Sequence, residues 1–172
     1  MNAATNVFSP ITVGGLELKN RIWMAPLTRV RAGADHVPGE LMAQYYAQRA
    51  SAGLIIAEAT MVMPDTSAFM QEPGIYSAEQ IAGWRKVTDA VHQAGGQIVL
   101  QLWHGGRASH PDLNGGKTAV AASAIAIDGE VHTPNGKQPY TVPKALADDE
   151  IPAIIEGFRQ AAENAKEAGF DG

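Results

Sequence analysis

Gln101, Trp103 and His104 close an apolar run that breaks on Gly105-Gly106, and their side chains are of types that bind as readily as they pack. An amide, an indole and an imidazole crowded at the C-terminal end of a strand have no structural use in a buried ladder. They suit the floor of a ligand pocket, where a few polar groups orient a ligand and flat apolar ones cover it. The Gln101 amide presents a donor and an acceptor side by side, which matches the alternating edge of a pyrimidine ring. A glutamine satisfied inside a core is the bland alternative. Trp103 follows two residues on and points to the same side; as plain core, its indole N–H would need a buried partner. Two earlier runs, residues 21–29 and 54–63, share this design. Thr28 follows Pro26 at the first tip, with a hydroxyl that either meets a ligand or caps the strand. Ala59, near the second tip, is small enough to let a planar ligand approach the backbone, although small residues are common in packed barrels. Three strand tips converging on one flat ligand is the reading that unites them.

Other chemistries fit less well. The chain has no cysteine, so it has no thiolate nucleophile, no thiolate zinc site and no disulfide framework. His104, His110 and Asp112 invite a metal, but their spacing in a glycine-rich loop matches no compact ligand pattern, and no metal site is expected. Spacing assembles no Ser-His-Asp arrangement. His92 reads as a surface residue on the polar side of its helix, and Arg107 as a solvated loop arginine. The net charge is -5 with no basic run, which argues against nucleic acid or an anionic membrane as partner. No apolar run reaches the roughly 20 residues of a membrane span, and residues 1–10 lack the regions of a signal peptide. A cytoplasmic protein is the default.

The elements that position these tips follow from periodicity. Ile11 to Leu18 alternates about Gly14-Gly15, a hairpin signature. The run at 21–29 is a strand whose pairing ends near Pro26, which has no N–H to donate. Residues 40–50 form a helix with Leu41, Tyr45 and Gln48 on one face, stopped by Gly53. A buried strand begins at Leu54. Ser77 with Gln80 forms a capping box for a helix carrying Ile81, Trp84, Val87 and Val91 in one stripe, and Gly95-Gly96 leads into the third strand. Residues 105–147 lose all period and read as a functional excursion with a short hairpin of its own. Asp148 or Asp149 starts the last helix, whose wide apolar face is Ile151, Ile154, Ile155, Phe158, Ala161, Ala162 and Ala165. Gly169 stops it, and Phe170-Asp171 should enter a further strand.

The order is a hairpin, three strand–helix units and the start of a fourth strand. Continuous apolar strands alternating with amphipathic helices make a parallel sheet with covered faces. No G-x-G-x-x-G follows the first strand, and functional residues sit at three successive tips rather than one switch point. An α/β (β/α)8 barrel is therefore expected. Such barrels run to about 250 residues or more, so residues 1–172 read as the N-terminal half of one barrel domain and the front part of a longer protein.

Taken together, the motifs resemble the old yellow enzyme family of flavin-dependent ene-reductases. They are Lys19-Asn20-Arg21 with Met24-Ala25-Pro26-Leu27-Thr28-Arg29, Tyr45-Tyr46-Ala47-Gln48-Arg49-Ala50, Ala57-Glu58-Ala59-Thr60, and Gln101-Leu102-Trp103-His104-Gly105-Gly106-Arg107. Each is short; their order and spacing are specific, and the resemblance covers nearly the whole chain. Ala168-Gly169-Phe170-Asp171-Gly172 is similar to the run before that family's fourth strand. Threonine at 28 points to the branch that includes bacterial maleimide and nitroester reductases.

The resemblance implies FMN held non-covalently at the C-terminal face of the barrel. Pro26, Leu27 and Thr28 would lie beside the isoalloxazine, with the Thr28 hydroxyl near its reactive edge. Ala59 would back the ring by its main chain, Gln101 would bond the pyrimidine edge, and Trp103 would border the substrate pocket. The implied reaction passes hydride from NADPH through FMN to the β-carbon of an activated alkene such as an enone or maleimide. The family's His/Asn pair and proton-donating tyrosine would come after Gly172, so no catalytic residue is expected in this chain. The chain alone is expected to be inactive and to need a complementary C-terminal half, from a second chain or a swapped copy. The rivals are a non-catalytic half-barrel assembly module and a different barrel enzyme acting on a phosphorylated substrate.

Overall fold

Gly14 adopts φ +59°, the left-handed region that a tight reversal between strands requires. It joins β1 (Ile11–Val13) to the antiparallel β2 (Leu16–Leu18), with Ile11 opposite Leu18. The structure, a computed structural model, describes residues 6–172; residues 1–5, part of the segment read above for a targeting signal, lie outside the described residues. Next come β3 (Trp23–Met24), α1 (Glu40–Ala47), β4 (Leu54–Met61), α2 (Ala78–Gln93) and β5 (Ile98–Trp103). Four short strands follow, β6 (Val120–Ala121), β7 (Glu130–Thr133), β8 (Gly136–Pro139) and β9 (Lys144–Ala145), then α3 (Ile151–Glu167).

The strands β3, β4 and β5 form one parallel sheet in that order, so each tip points the same way. Beyond β5 the backbone continues the ladder: Asp171 N–H donates to the Ile98 carbonyl at 2.9 Å and Leu100 N–H to the Gly172 carbonyl at 2.9 Å. This is the expected entry into a fourth strand. The Asp171 carboxylate reinforces it by accepting Ile98 N–H at 2.7 Å and meeting His92 Nε2 at 3.0 Å. His92 is exposed, as expected for the polar side of its helix, and this bond gives it a partner.

Helices α1 and α2 pack on one face of the sheet around Tyr46, Trp84, Val87, Val91, Ile55 and Ile98, all 0% exposed. The capping box forms as expected: Ser77 Oγ accepts Gln80 N–H at 3.3 Å, and Gln80 Oε1 accepts Ser77 N–H at 3.2 Å. Ser77→Ala should lower stability by about 1 kcal/mol, within the usual range for a lost cap. A chemical-denaturation midpoint indistinguishable from wild type would count against the box.

Several expectations need correction. Pairing of the first strand ends near Pro26 as expected, but the strand is only Trp23–Met24 rather than residues 21–29. α1 ends at Ala47, and its buried residues are Met42, Ala43 and Tyr46; Leu41 and Gln48 are exposed. The last helix starts after Glu150, with neither Asp148 nor Asp149 as a side-chain cap. Of its apolar face Ala161 and Ala165 are buried, while Ile151 and Ile155 are 42% and 64% exposed. Residues 105–147 are more ordered than their composition implies. They hold the expected short hairpin, β7–β8, and beyond it two 3-10 turns and the parallel pair β6–β9. Asn114 pins them to the loop after β4, its amide accepting Ser67 N–H at 2.8 Å and donating to the Ser67 carbonyl at 2.9 Å. Gly105 is a contact point: an added Cβ would sit 2.3 Å from the Thr66 carbonyl oxygen, so only glycine fits. Among the described residues no helix is long and apolar enough to cross a membrane.

Candidate functional site

The register of β4 and β5 places Ala59 beside Gln101 and Met61 beside Trp103 at adjacent tips. Neighbouring strands lie about 4.8 Å apart, so a small side chain and an exposed amide stand together on one face. Ala59 is buried, Gln101 exposed and Trp103 half-buried. At the neighbouring β3 tip Pro26 and Thr28 are half-buried and Leu27 is 50% exposed. Thr28 is tied to this face through the next residue: Arg29 N–H donates to Glu58 Oε2 at 3.0 Å. All three tips are therefore brought to one end of one sheet.

Two donors at the β5 tip are left over. Trp103 Nε1 and His104 Nε2 are buried without a hydrogen-bond partner among the described residues. His104 Nδ1 accepts Gly106 N–H at 2.9 Å, so the proton of the neutral ring is on Nε2. Burial pulls the His104 pKa down and keeps it neutral. Buried donors are nearly always satisfied, and each orphan costs about 1–3 kcal/mol. Both atoms are closed off from solvent, so the surface open to a polar, planar ligand here is the exposed Gln101 amide beside the small Ala59. A small residue beside a donor–acceptor amide fits the edge of a flavin ring. His110 is spent otherwise, its Nδ1 accepting Asp112 N–H at 3.1 Å in a local turn. Among the described residues no cluster of three or more His, Asp or Glu side chains could hold a metal ion.

Sequence reasoning passed over four residues here. Phe69, 43% exposed, lies against Trp103 with ring centroids 6.5 Å apart, extending the aromatic wall from the loop after β4. Glu72, fully buried, holds that loop: its Oε1 accepts Ala68 N–H at 2.7 Å, while Oε2 has no partner. Burial pushes its carboxyl up to about 7. Glu58 and Tyr46, both 0% exposed, bond to each other at 2.9 Å between Tyr46 Oη and Glu58 Oε1. Burial raises the Glu58 pKa, opposed by the Arg29 N–H and Tyr46 O–H bonds and the Arg29 charge. Oε1 accepts from Tyr46 O–H and Oε2 from Arg29 N–H. A charged residue inside an apolar strand was the one signal available for it.

Comparison with known proteins agrees with this arrangement. The model of the NADH:flavin oxidoreductase / NADH oxidase family matches residues 6–172. A probable flavin mononucleotide-dependent alkene reductase of Leishmania infantum is 48% identical over 96% of this chain and 47% of its own length. The solved structure of an old yellow enzyme homologue from Zymomonas mobilis superposes with a TM-score of 0.95 at 51% identity, covering 98% of this chain and 47% of that one. Morphinone reductase in complex with tetrahydroNAD gives 0.92 at 48% identity, with 98% and 48% covered. The chain spans about half the length of the curated relatives it matches.

Proposed function

The chain belongs to the NADH:flavin oxidoreductase / NADH oxidase family and forms the N-terminal half of an old-yellow-enzyme barrel; from that premise we propose that its strand tips hold one side of FMN in an NADPH-dependent ene-reductase. When bound, FMN supplies the redox chemistry, passing hydride from NADPH to the β-carbon of an activated alkene such as an enone or maleimide. The chain's own residues bind and orient. Gln101 matches the donor–acceptor edge of the pyrimidine ring, Ala59 leaves room for the ring beside the backbone, and Pro26 and Leu27 cover it. Thr28 brings a hydroxyl to its reactive edge. Trp103, with Phe69, walls the substrate pocket, and residues 105–147 form a lid over it. The observation that carries this reading is the exposed Gln101 amide in register with the small Ala59 at adjacent strand tips, with Trp103 two residues on.

The remaining wall comes from a complementary C-terminal half, and the isolated chain is inactive without it. Two flanks support this. Ile22, Trp23, Leu27 and Leu41 are 42–64% exposed, as Ile151 and Ile155 are on the α3 side. These are the faces that further strands and helices of a closed barrel would cover. The proton donor and the groups holding the substrate carbonyl belong to that half.

The full-length protein should purify yellow and bleach on anaerobic addition of NADPH, then regain its colour with a maleimide. A colourless protein that takes up no FMN would end the proposal. Gln101→Ala should weaken FMN binding roughly tenfold, as expected for one lost hydrogen-bonding pair; full flavin occupancy after extended dialysis would argue against that role. Thr28→Ala should slow flavin reduction by NADPH roughly tenfold through a lower flavin potential. An unchanged half-reaction would remove Thr28 from the site.

A further inference from the structure

Glu58 is the extra residue of a β-bulge. Ala57 pairs with Leu100 and Ala59 with Gln101, so Glu58 has no partner in the β4–β5 ladder. Its N–H donates instead to Tyr46 Oη at 3.0 Å, while the Tyr46 O–H donates to Glu58 Oε1 at 2.9 Å. The other oxygen, Oε2, accepts Arg29 N–H at 3.0 Å. A buried carboxyl group is costly to desolvate, and an apolar side chain would fill this place at no such cost. What the carboxylate does that an apolar residue cannot is hold the peptide between Thr28 and Arg29.

The two peptides that follow it are held as well. The Arg31 guanidinium donates to the carbonyls of Arg29 at 3.1 Å and Val30 at 3.0 Å. Between them Val30, a β-branched residue, sits at φ +48°. Such a conformation is strained and persists only where surrounding contacts over-determine it. The peptide plane is rigid, so fixing Arg29 N–H fixes ψ of Thr28. Bulge, tyrosine and strained tip thus converge on the backbone that carries Thr28.

We propose that Glu58, seated by Tyr46, is a positioning residue that sets the Thr28 hydroxyl against the reactive edge of the flavin. It touches no cofactor and acts only through Thr28. This rests on the FMN reading above. The test uses the full-length protein reconstituted with FMN, and compares Glu58→Ala, Glu58→Gln and Tyr46→Phe with and without Thr28→Ala. The readouts are the flavin midpoint potential and the rate of anaerobic flavin reduction by NADPH.

Glu58→Ala and Tyr46→Phe should each slow reduction roughly fivefold to twentyfold and move the potential in the direction of Thr28→Ala. On the Thr28→Ala background either should add less than about twofold, because both act through one group. Glu58→Gln should recover to within about threefold of wild type, since its carbonyl oxygen still accepts Arg29 N–H. If Glu58→Ala does not fold, Tyr46→Phe keeps the ring's packing and removes only the hydroxyl, so the comparison stands on that variant. Wild-type potential and rate in Tyr46→Phe, or full additivity with Thr28→Ala, would overturn the assignment while leaving FMN binding intact. Failure of the wild-type protein to retain FMN would instead overturn the reading beneath it.

Discussion

Trp84→Ala should lower the unfolding free energy by about 3–5 kcal/mol, the usual range for emptying a large buried aromatic site. Trp84 is 0% exposed and joins three parts of the fold. Its indole N–H donates to the Gly74 carbonyl at 3.0 Å in the loop that leads into α2. Its ring lies 6.3 Å from that of Tyr46 on α1 and meets Phe170 edge-on at 5.2 Å, just after α3. Alanine would lose the packing of all three and leave a buried carbonyl without its donor. Trp84→Phe keeps most of the ring and should cost about 1–3 kcal/mol, chiefly for the orphaned carbonyl. Urea unfolding of the full-length protein separates the two; an alanine variant within about 1 kcal/mol of wild type would refute the shared role.

The second large effect is a pH dependence from Glu72. Its carboxyl sits at about 7 in the folded chain against an ordinary 4.5, because burial disfavours the anion. The folded state therefore holds a proton that the unfolded state has released between those values. Stability from this group is complete below pH 4.5, falls as pH rises towards 7, and is flat above that. At about 1.4 kcal/mol per pH unit the loss totals roughly 3 kcal/mol. Glu72→Gln removes the titration while an amide oxygen can still accept Ala68 N–H. The variant should therefore gain roughly 3 kcal/mol on wild type between pH 5 and pH 8. Parallel stability–pH curves for the two proteins would contradict the assignment. The Ala68–Phe69 segment carries the ring that lies against Trp103. Ionisation of Glu72 should accordingly loosen the aromatic wall as well as the fold.

Sequence patterns local to each element were sufficient for the strand–helix order, the hairpin about Gly14-Gly15 and the Ser77–Gln80 box. They also placed Thr28, Ala59, Gln101 and Trp103 at strand ends, and their joint spacing carried the family resemblance. A hydrophobic period or a cap depends on neighbours a few residues away, and the string of letters holds that information. The face of α1 was misplaced because Leu41 and Met42 are equally apolar. Only the position of β4 and α2 decides that Met42, Ala43 and Tyr46 turn inward. Glu58 read as one residue of a regular strand. The bulge that frees its N–H needs β5 in register, and its partners Tyr46 and Arg29 lie 12 and 29 residues away. Asn114 likewise reaches back 47 residues to order a segment whose composition reads as loop. Residue types and local spacing were enough to put these groups at the tips; long-range hydrogen bonds between buried polar groups, which leave no period in a sequence, decided the bulge at Glu58 and the order of residues 105–147.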